Sequence, residues 1–164
     1  MKASAQSQRG VFLIEALIGI LIFSLGVLAM VALGTAAVSA QSDAQYRTEA
    51  ASLANEIASA VALKANRLPQ ATPAATIAAL NASLLPYQHN VGGPTCNFNA
   101  GASGDALVTT WVAKVAAALP GVVARGLQID TTTLAAFSGV RVTVCWQAPA
   151  DQAVRFHTLI TYIN

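Results

Sequence analysis

One acid in this chain stands where an acid is costly. Glu15 lies five residues after Gly10, and from Ala16 to Ser42 there follow 27 residues with no Asp, Glu, Lys, Arg or His. About twenty apolar residues cross a bilayer as a helix. A carboxylate just inside such a run therefore needs a cationic partner, and the chemistry it offers is ion pairing. The other reactive side chains are scattered. His89 falls in an irregular stretch, and His157 reads as a surface residue on the face of a strand opposite Phe156. Asp105, Asp130 and Asp151 read as a helix cap, a strand end and a turn residue. There is no grouping of Ser, His and Asp, no paired histidines at helical spacing and no phosphate-cradling glycine motif. The expectation is a chain that is not an enzyme, with no catalytic residue, cofactor or metal.

The elements that place Glu15 begin with a leader. Residues 1–10 (MKASAQSQRG) carry Lys2 and Arg9 and no acid. The apolar run behind them is roughly twice the 7–15 residues of a secretory signal peptide, and the small residues that would suit a cut, Ala37 and Ala40, come after a full span. An ordinary signal anchor, held with its positive leader in the cytoplasm, is the other reading, and neither accounts for Glu15. Overall, nine Lys and Arg face seven Asp and Glu. Without Lys2 and Arg9 the balance is even, so no basic surface argues for nucleic acid.

From Gln41 the pattern becomes amphipathic. Ala44, Ala51, Leu53, Ala54, Ile57, Ala58, Val61 and Leu63 recur at helical spacing among charged residues. No proline precedes Pro69. One helix from Phe12 to Asn66 is therefore expected, about 80 Å long at 1.5 Å per residue. Gly19, Gly26 and Gly34 in its first half suit close helix packing or a local softening of the helix. Residues 69–104 are rich in Pro and Gly, with a short helix at 74–84. Asp105 caps a helix over 106–118 whose stripe is Leu107, Trp111, Val115 and Leu119, closed by Leu119-Pro120-Gly121. Strands are expected at 122–129, 139–147 and 154–162. Alternation in the second puts Val140, Val142, Val144 and Trp146 toward the long helix and Cys145 outward. The fold class is α+β: a long N-terminal helix, membrane-spanning in its first half, on a small antiparallel sheet with a short extra helix.

The N-terminal pattern resembles a known one. A basic leader ending in Gly10, an apolar Val11 and Glu15 heading an uncharged run look like the processing motif of type IV pilins and type II secretion pseudopilins. The resemblance implies that a prepilin peptidase cuts between Gly10 and Val11 on the cytoplasmic side and N-methylates Val11. Phe is the commonest first residue in the family, and Val11 stands there here. The resemblance also implies the assembly contact: Glu15 meets the N-terminal ammonium of a neighbouring subunit. Ser24 to Met30, Arg47 to Ala51, Trp111 to Gly121 and Val142-Thr143-Val144-Cys145-Trp146 are similar to the minor pilins called PilV, or type IV pilus modification proteins. The second glycine usual after the Leu-Pro-Gly turn is Val122 in this chain. Nothing in residues 69–104 matches the group.

The implied organisation is a leader at 1–10, a transmembrane or filament-core helix at 11–40, its amphipathic continuation at 41–68 and a periplasmic head at 69–164. The fold implied is the type IV pilin fold. The chain would sit in a bacterial inner membrane as a single pass, N-terminus cytoplasmic, and then move into a pilus. Partners would be the peptidase, the major pilin and other minor pilins, the inner-membrane assembly platform, and lipid before assembly. The function implied is a structural and priming subunit that promotes pilus assembly for twitching, adhesion or DNA uptake. A minor pseudopilin of a type II secretion machine is the alternative, and an unprocessed membrane-anchored binding module a third reading.

Cys96 and Cys145 are 49 residues apart, with no CxxC and no adjacent His, too few ligands for zinc. Outside an inner membrane the compartment is oxidising, which favours a disulfide worth roughly 4 kcal/mol for a loop of that size in the chain-entropy picture; two buried thiols are the alternative. On the processing reading, Gly10→Val is expected to block the cut. N-terminal sequencing checks it: the unaltered chain starts at Val11 and the variant at Met1.

Overall fold

The computed structural model describes residues 9–99, 101–131, 138–149 and 151–163; the leader expected at 1–10 lies mostly outside them. Helix α1 spans Arg9–Lys64, α2 Pro73–Leu84 and α3 Ala106–Ala118. Strands β1 (Leu127–Asp130), β2 (Gly139–Trp146) and β3 (Arg155–Tyr162) form one antiparallel sheet in the order β1-β2-β3. The chain is α+β, with a long apolar N-terminal helix, a three-stranded sheet and short helices. Residues up to Asp43 form one unit and residues from Ala44 onward a second.

In the second unit the core is built on the later turns of α1. Ala50, Leu53, Ala54, Ile57, Ala58 and Val61 are buried, one stripe at helical spacing. They pack with Val108, Trp111 and Val115 of α3 and with Val140, Val142, Val144 and Trp146 of β2. The Trp111 indole N–H donates to the Leu53 carbonyl at 2.9 Å, so its one polar atom is satisfied inside the core. Two residues expected in the stripe are not in it: Ala44 is exposed and Leu63 is 82% exposed. Leu63 lies two residues past Val61, on the far side of the helix. In α3 Val108 is buried and Leu107 half-buried, a shift of one position in the expected stripe.

The helix caps follow local chemistry. The Thr72 hydroxyl accepts from the Ala75 N–H, with Pro73 at the first helical position. Asp105 accepts from the Leu107 N–H at 2.8 Å, the cap expected of it. The strand expected at 122–129 is shorter. Residues 124–126 form a 3₁₀ turn, and the ladder starts at Leu127, opposite Val144. The chain first has to turn at Gly121, whose φ is +64°. Pro120 there accepts a hydrogen bond from the Gln147 N–H at 3.0 Å, tying the turn to the end of β2.

Gly121 is the position where glycine is required. A Cβ would land on the Gln147 carbonyl oxygen, and left-handed backbone costs a side-chain-bearing residue about 1–2 kcal/mol by itself. Gly121→Ala is expected to destabilise the head by at least that amount, whereas Gly104→Ala, with open space around it, stays within about 0.5 kcal/mol of the parent. Urea unfolding of the two variants checks the contrast.

Candidate functional site

The candidate site is the first half of α1. Between Phe12 and Val38 sixteen large apolar side chains are exposed, from Val27 at 44% to Phe12 at 75%. Covering each is worth on the order of 1–2 kcal/mol. Together that exceeds the 5–15 kcal/mol net stability of an ordinary domain. The segment is long and apolar enough to span a membrane, and none of its most apolar window is buried among the described residues. The backbone is helical from Arg9, so Gly10 and Val11, the residues flanking the expected cut, lie on the helix; their side chains are outside the described set. Gly19, Gly26 and Gly34 have nothing among the described residues within reach of a Cβ.

Between Phe12 and Val38 the polar side chains are Glu15, Ser24 and Thr35. Ser24 donates to the Ile20 carbonyl at 2.7 Å and Thr35 to the Ala32 carbonyl at 2.9 Å. A hydroxyl in an apolar helix satisfies itself in this way. A carboxylate cannot, because it has no proton to give a carbonyl. Glu15 is exposed. Val11 stands four residues before it, one helical turn away. Glu15 is thus the one polar side chain between Phe12 and Val38 that its own helix carbonyls cannot satisfy.

The head carries a second built feature. Cys96 and Cys145 form a disulfide. Cys145 lies on the face of β2 opposite the valines, as expected, yet it is buried rather than outward-exposed, because the segment that carries Cys96 crosses that part of the face. The covering segment is held at many points. His89 exchanges two backbone hydrogen bonds with Ile129, each 2.9 Å. The Asn90 amide donates to the Ala124 and Leu127 carbonyls at 2.8 and 2.9 Å, and the Phe98 N–H donates to Arg125 at 3.0 Å. Between this segment and the sheet lies a groove of about 440 Å³, lined by Gly93, Phe98, Asp130, Arg141, Thr143 and Phe156 among others. Buried Asp130 and half-buried Arg141 approach to 3.8 Å there.

Of the remaining residues singled out in the sequence, Asp130 closes β1. Asp151 sits in a turn, paired with Arg155 at 2.7 and 2.9 Å. That guanidinium holds the Asp151 carboxyl below its ordinary range. His157 is half-buried, opposite Val144 on β3. His89 is the residue the sequence undervalued: it is 5% exposed, and its Nδ1 accepts from the Ser103 N–H at 3.2 Å. In the sequence it stands only as a residue of an irregular stretch. No family model, curated protein or solved structure matches this chain.

The Ser103 contact requires His89 Nδ1 unprotonated, and burial lowers the His89 pKa below 6.5. The unfolded chain then binds the proton more readily than the folded one. The stabilisation is complete above about pH 6.5 and is lost as pH falls through that value toward the lower folded pKa. The full chain in detergent is expected to melt at lower temperature at pH 5.5 than at pH 7.5. His89→Gln is expected to flatten that slope; an unchanged slope would assign it to another group.

Proposed function

We propose that the chain is a subunit of a type IV filament, anchored in a membrane by α1 before assembly and held in the filament by the same helix afterwards. Within that class it is read as a PilV-like minor pilin, a subunit that promotes pilus assembly. The observation that carries this reading is the uncovered apolar segment with a single acid at its head. Lipid covers the segment at first, and neighbouring helices replace lipid on assembly. The new N-terminal ammonium at Val11 and the Glu15 carboxylate are each costly alone in an apolar bundle. Paired between neighbouring subunits they become tolerable, and the pairing sets the axial register. The Gly10–Val11 spacing supports processing, and the three-stranded sheet with its long helix is compatible with a pilin head.

In this account prepilin peptidase releases the leader on the cytoplasmic side of a bacterial inner membrane. The disulfide-closed head is then on the oxidising side, where its cysteines pair. The other partners are the assembly platform, the major pilin and further minor pilins.

Glu15→Ala tests the pairing. The variant is expected to be processed to Val11 and to keep its disulfide. Removing one partner of a buried ion pair costs about 3–5 kcal/mol, so incorporation into sheared filaments should fall roughly a hundredfold or more. Immunoblots of the filament fraction read it, and wild-type incorporation refutes the pairing role.

A further inference from the structure

The sheet face that residues 91–98 cross is polar, where a covered sheet face is usually apolar. Alternation along the strands puts Gln128 and Asp130 of β1, Arg141 and Thr143 of β2 and Thr158 of β3 on it. The register sets them in two rows: Gln128 beside Thr143 beside Thr158, and Asp130 beside Arg141. Gln128, Asp130 and Thr143 are 6, 2 and 3% exposed. Burying such groups is costly unless each finds a partner. Residues 91–98 do not pack directly on them but leave the groove of about 440 Å³. That volume lies within the roughly 300–1,000 Å³ of small-molecule sites. Gly92 and Gly93 line the groove without side chains to fill it.

The contacts within the groove leave hydrogen-bonding capacity on its floor. The Thr143 and Thr158 hydroxyls share one bond at 3.2 Å, so the hydroxyl that accepts has its own proton to give. The Gln128 amide nitrogen donates to the Asn90 carbonyl at 3.3 Å, and its Oε1 has no hydrogen-bond partner among the described residues. The Arg141 guanidinium approaches Asp130 at 3.8 Å, too far for a hydrogen bond. Its N–H donors make no hydrogen bond to a described residue.

Charge selects the kind of ligand. Asp130 and Arg141 are the charged residues of the lining. An anion brought to Arg141 also meets the Asp130 carboxylate, and a cation brought to Asp130 meets the guanidinium. A neutral ligand avoids both conflicts. A hydroxyl accepts from Arg141 and donates to Asp130 through one atom, joining groups that 3.8 Å holds apart. A peptide group carries its donor and its acceptor on different atoms. The walls add apolar surface: Phe98 is buried, and Phe156, at 57% exposed, stands where it meets solvent. A pyranose ring has hydroxyls around its edge and apolar C–H faces that suit an aromatic wall.

We propose that this groove binds a short neutral saccharide. Arg141, Asp130 and Gln128 hold its hydroxyls, and Phe156 covers one face of a ring. The lining comes wholly from residues 91–158 in the head, so the site stands independently of the filament reading.

The test uses the full-length chain in dodecylphosphocholine micelles, a detergent without a sugar headgroup, with its amide resonances followed by NMR. Glucose, galactose, mannose, N-acetylglucosamine, lactose and maltose are titrated separately. Sodium acetate, inorganic phosphate and N-acetyl-trialanine amide are the anionic and peptide probes. At least one sugar is expected to shift Gly92, Gly93, Thr143 and Thr158 saturably, with a Kd of about 1 mM or tighter, and the other probes are expected to leave them in place. Arg141→Gln is expected to weaken that binding about tenfold or more. Phe156→Ala, an exposed site that the fold tolerates, is expected to weaken it about threefold or more. The Cys96–Cys145 disulfide on a non-reducing gel reports that each variant head folds, and Phe156→Ala decides if Arg141→Gln does not. No saturable shift with any sugar, an equal or stronger response to acetate, phosphate or the peptide, or sugar binding unchanged in the folded variants overturns the proposal.

Discussion

The constraint on which the rest depends is apolar surface that this chain does not cover. From Phe12 to Val38 the side chains of α1 are exposed all round, and the two hydroxyls among them are turned back onto the helix. Water is a poor environment for such a helix and lipid a good one, since a helix pairs its interior backbone groups along its own axis. Another apolar helix serves as well as lipid. A segment with that indifference can change surroundings at modest cost, and a transfer from bilayer to filament requires it. Glu15 removes the indifference at one point. It makes one arrangement of neighbours, the one that offers a cation, better than the rest.

The head solves a different problem. With the core drawn from one face of α1, from α3 and from β2, the opposite face of a three-stranded sheet would be left to solvent. The segment at 88–104 covers part of it, held by the disulfide and by Asn90, His89 and Ser103. Covering also closes the β1 edge. On β3, at the far part of that face, Phe156, Ile160 and Tyr162 are exposed.

Much of this was legible from residue patterns. The long helix follows from unbroken helical periodicity without proline, α3 from the Asp105 cap and its stripe, and β2 from strict alternation of valines with polar residues. The cysteine pair also read correctly, and Cys145 does lie opposite the valines. What escaped was set by tertiary contacts. Val122–Gly126 has strand-like residues but is consumed by the turn that Gly121 makes toward Gln147. Leu63 looks apolar enough for the core and points away from it. The ties of residues 88–104 run through single side chains at irregular spacing, so no periodicity announces them. His89 was visible as a residue but not as a buried acceptor. The pilin-like reading of Gly10, Val11 and Glu15 rests on a motif, and the uncovered helix supports it.

The central claim is that Glu15 exists to meet a neighbouring N-terminus. The most direct measurement is the structure of a filament that carries this chain, read at one place: the separation of the Glu15 carboxylate from the Val11 nitrogen of the adjacent subunit. The account predicts a direct ion pair, within about 4 Å, in a core with no competing cation. A Glu15 carboxylate turned to solvent, or paired within its own chain while neighbouring N-termini lie elsewhere, would contradict it.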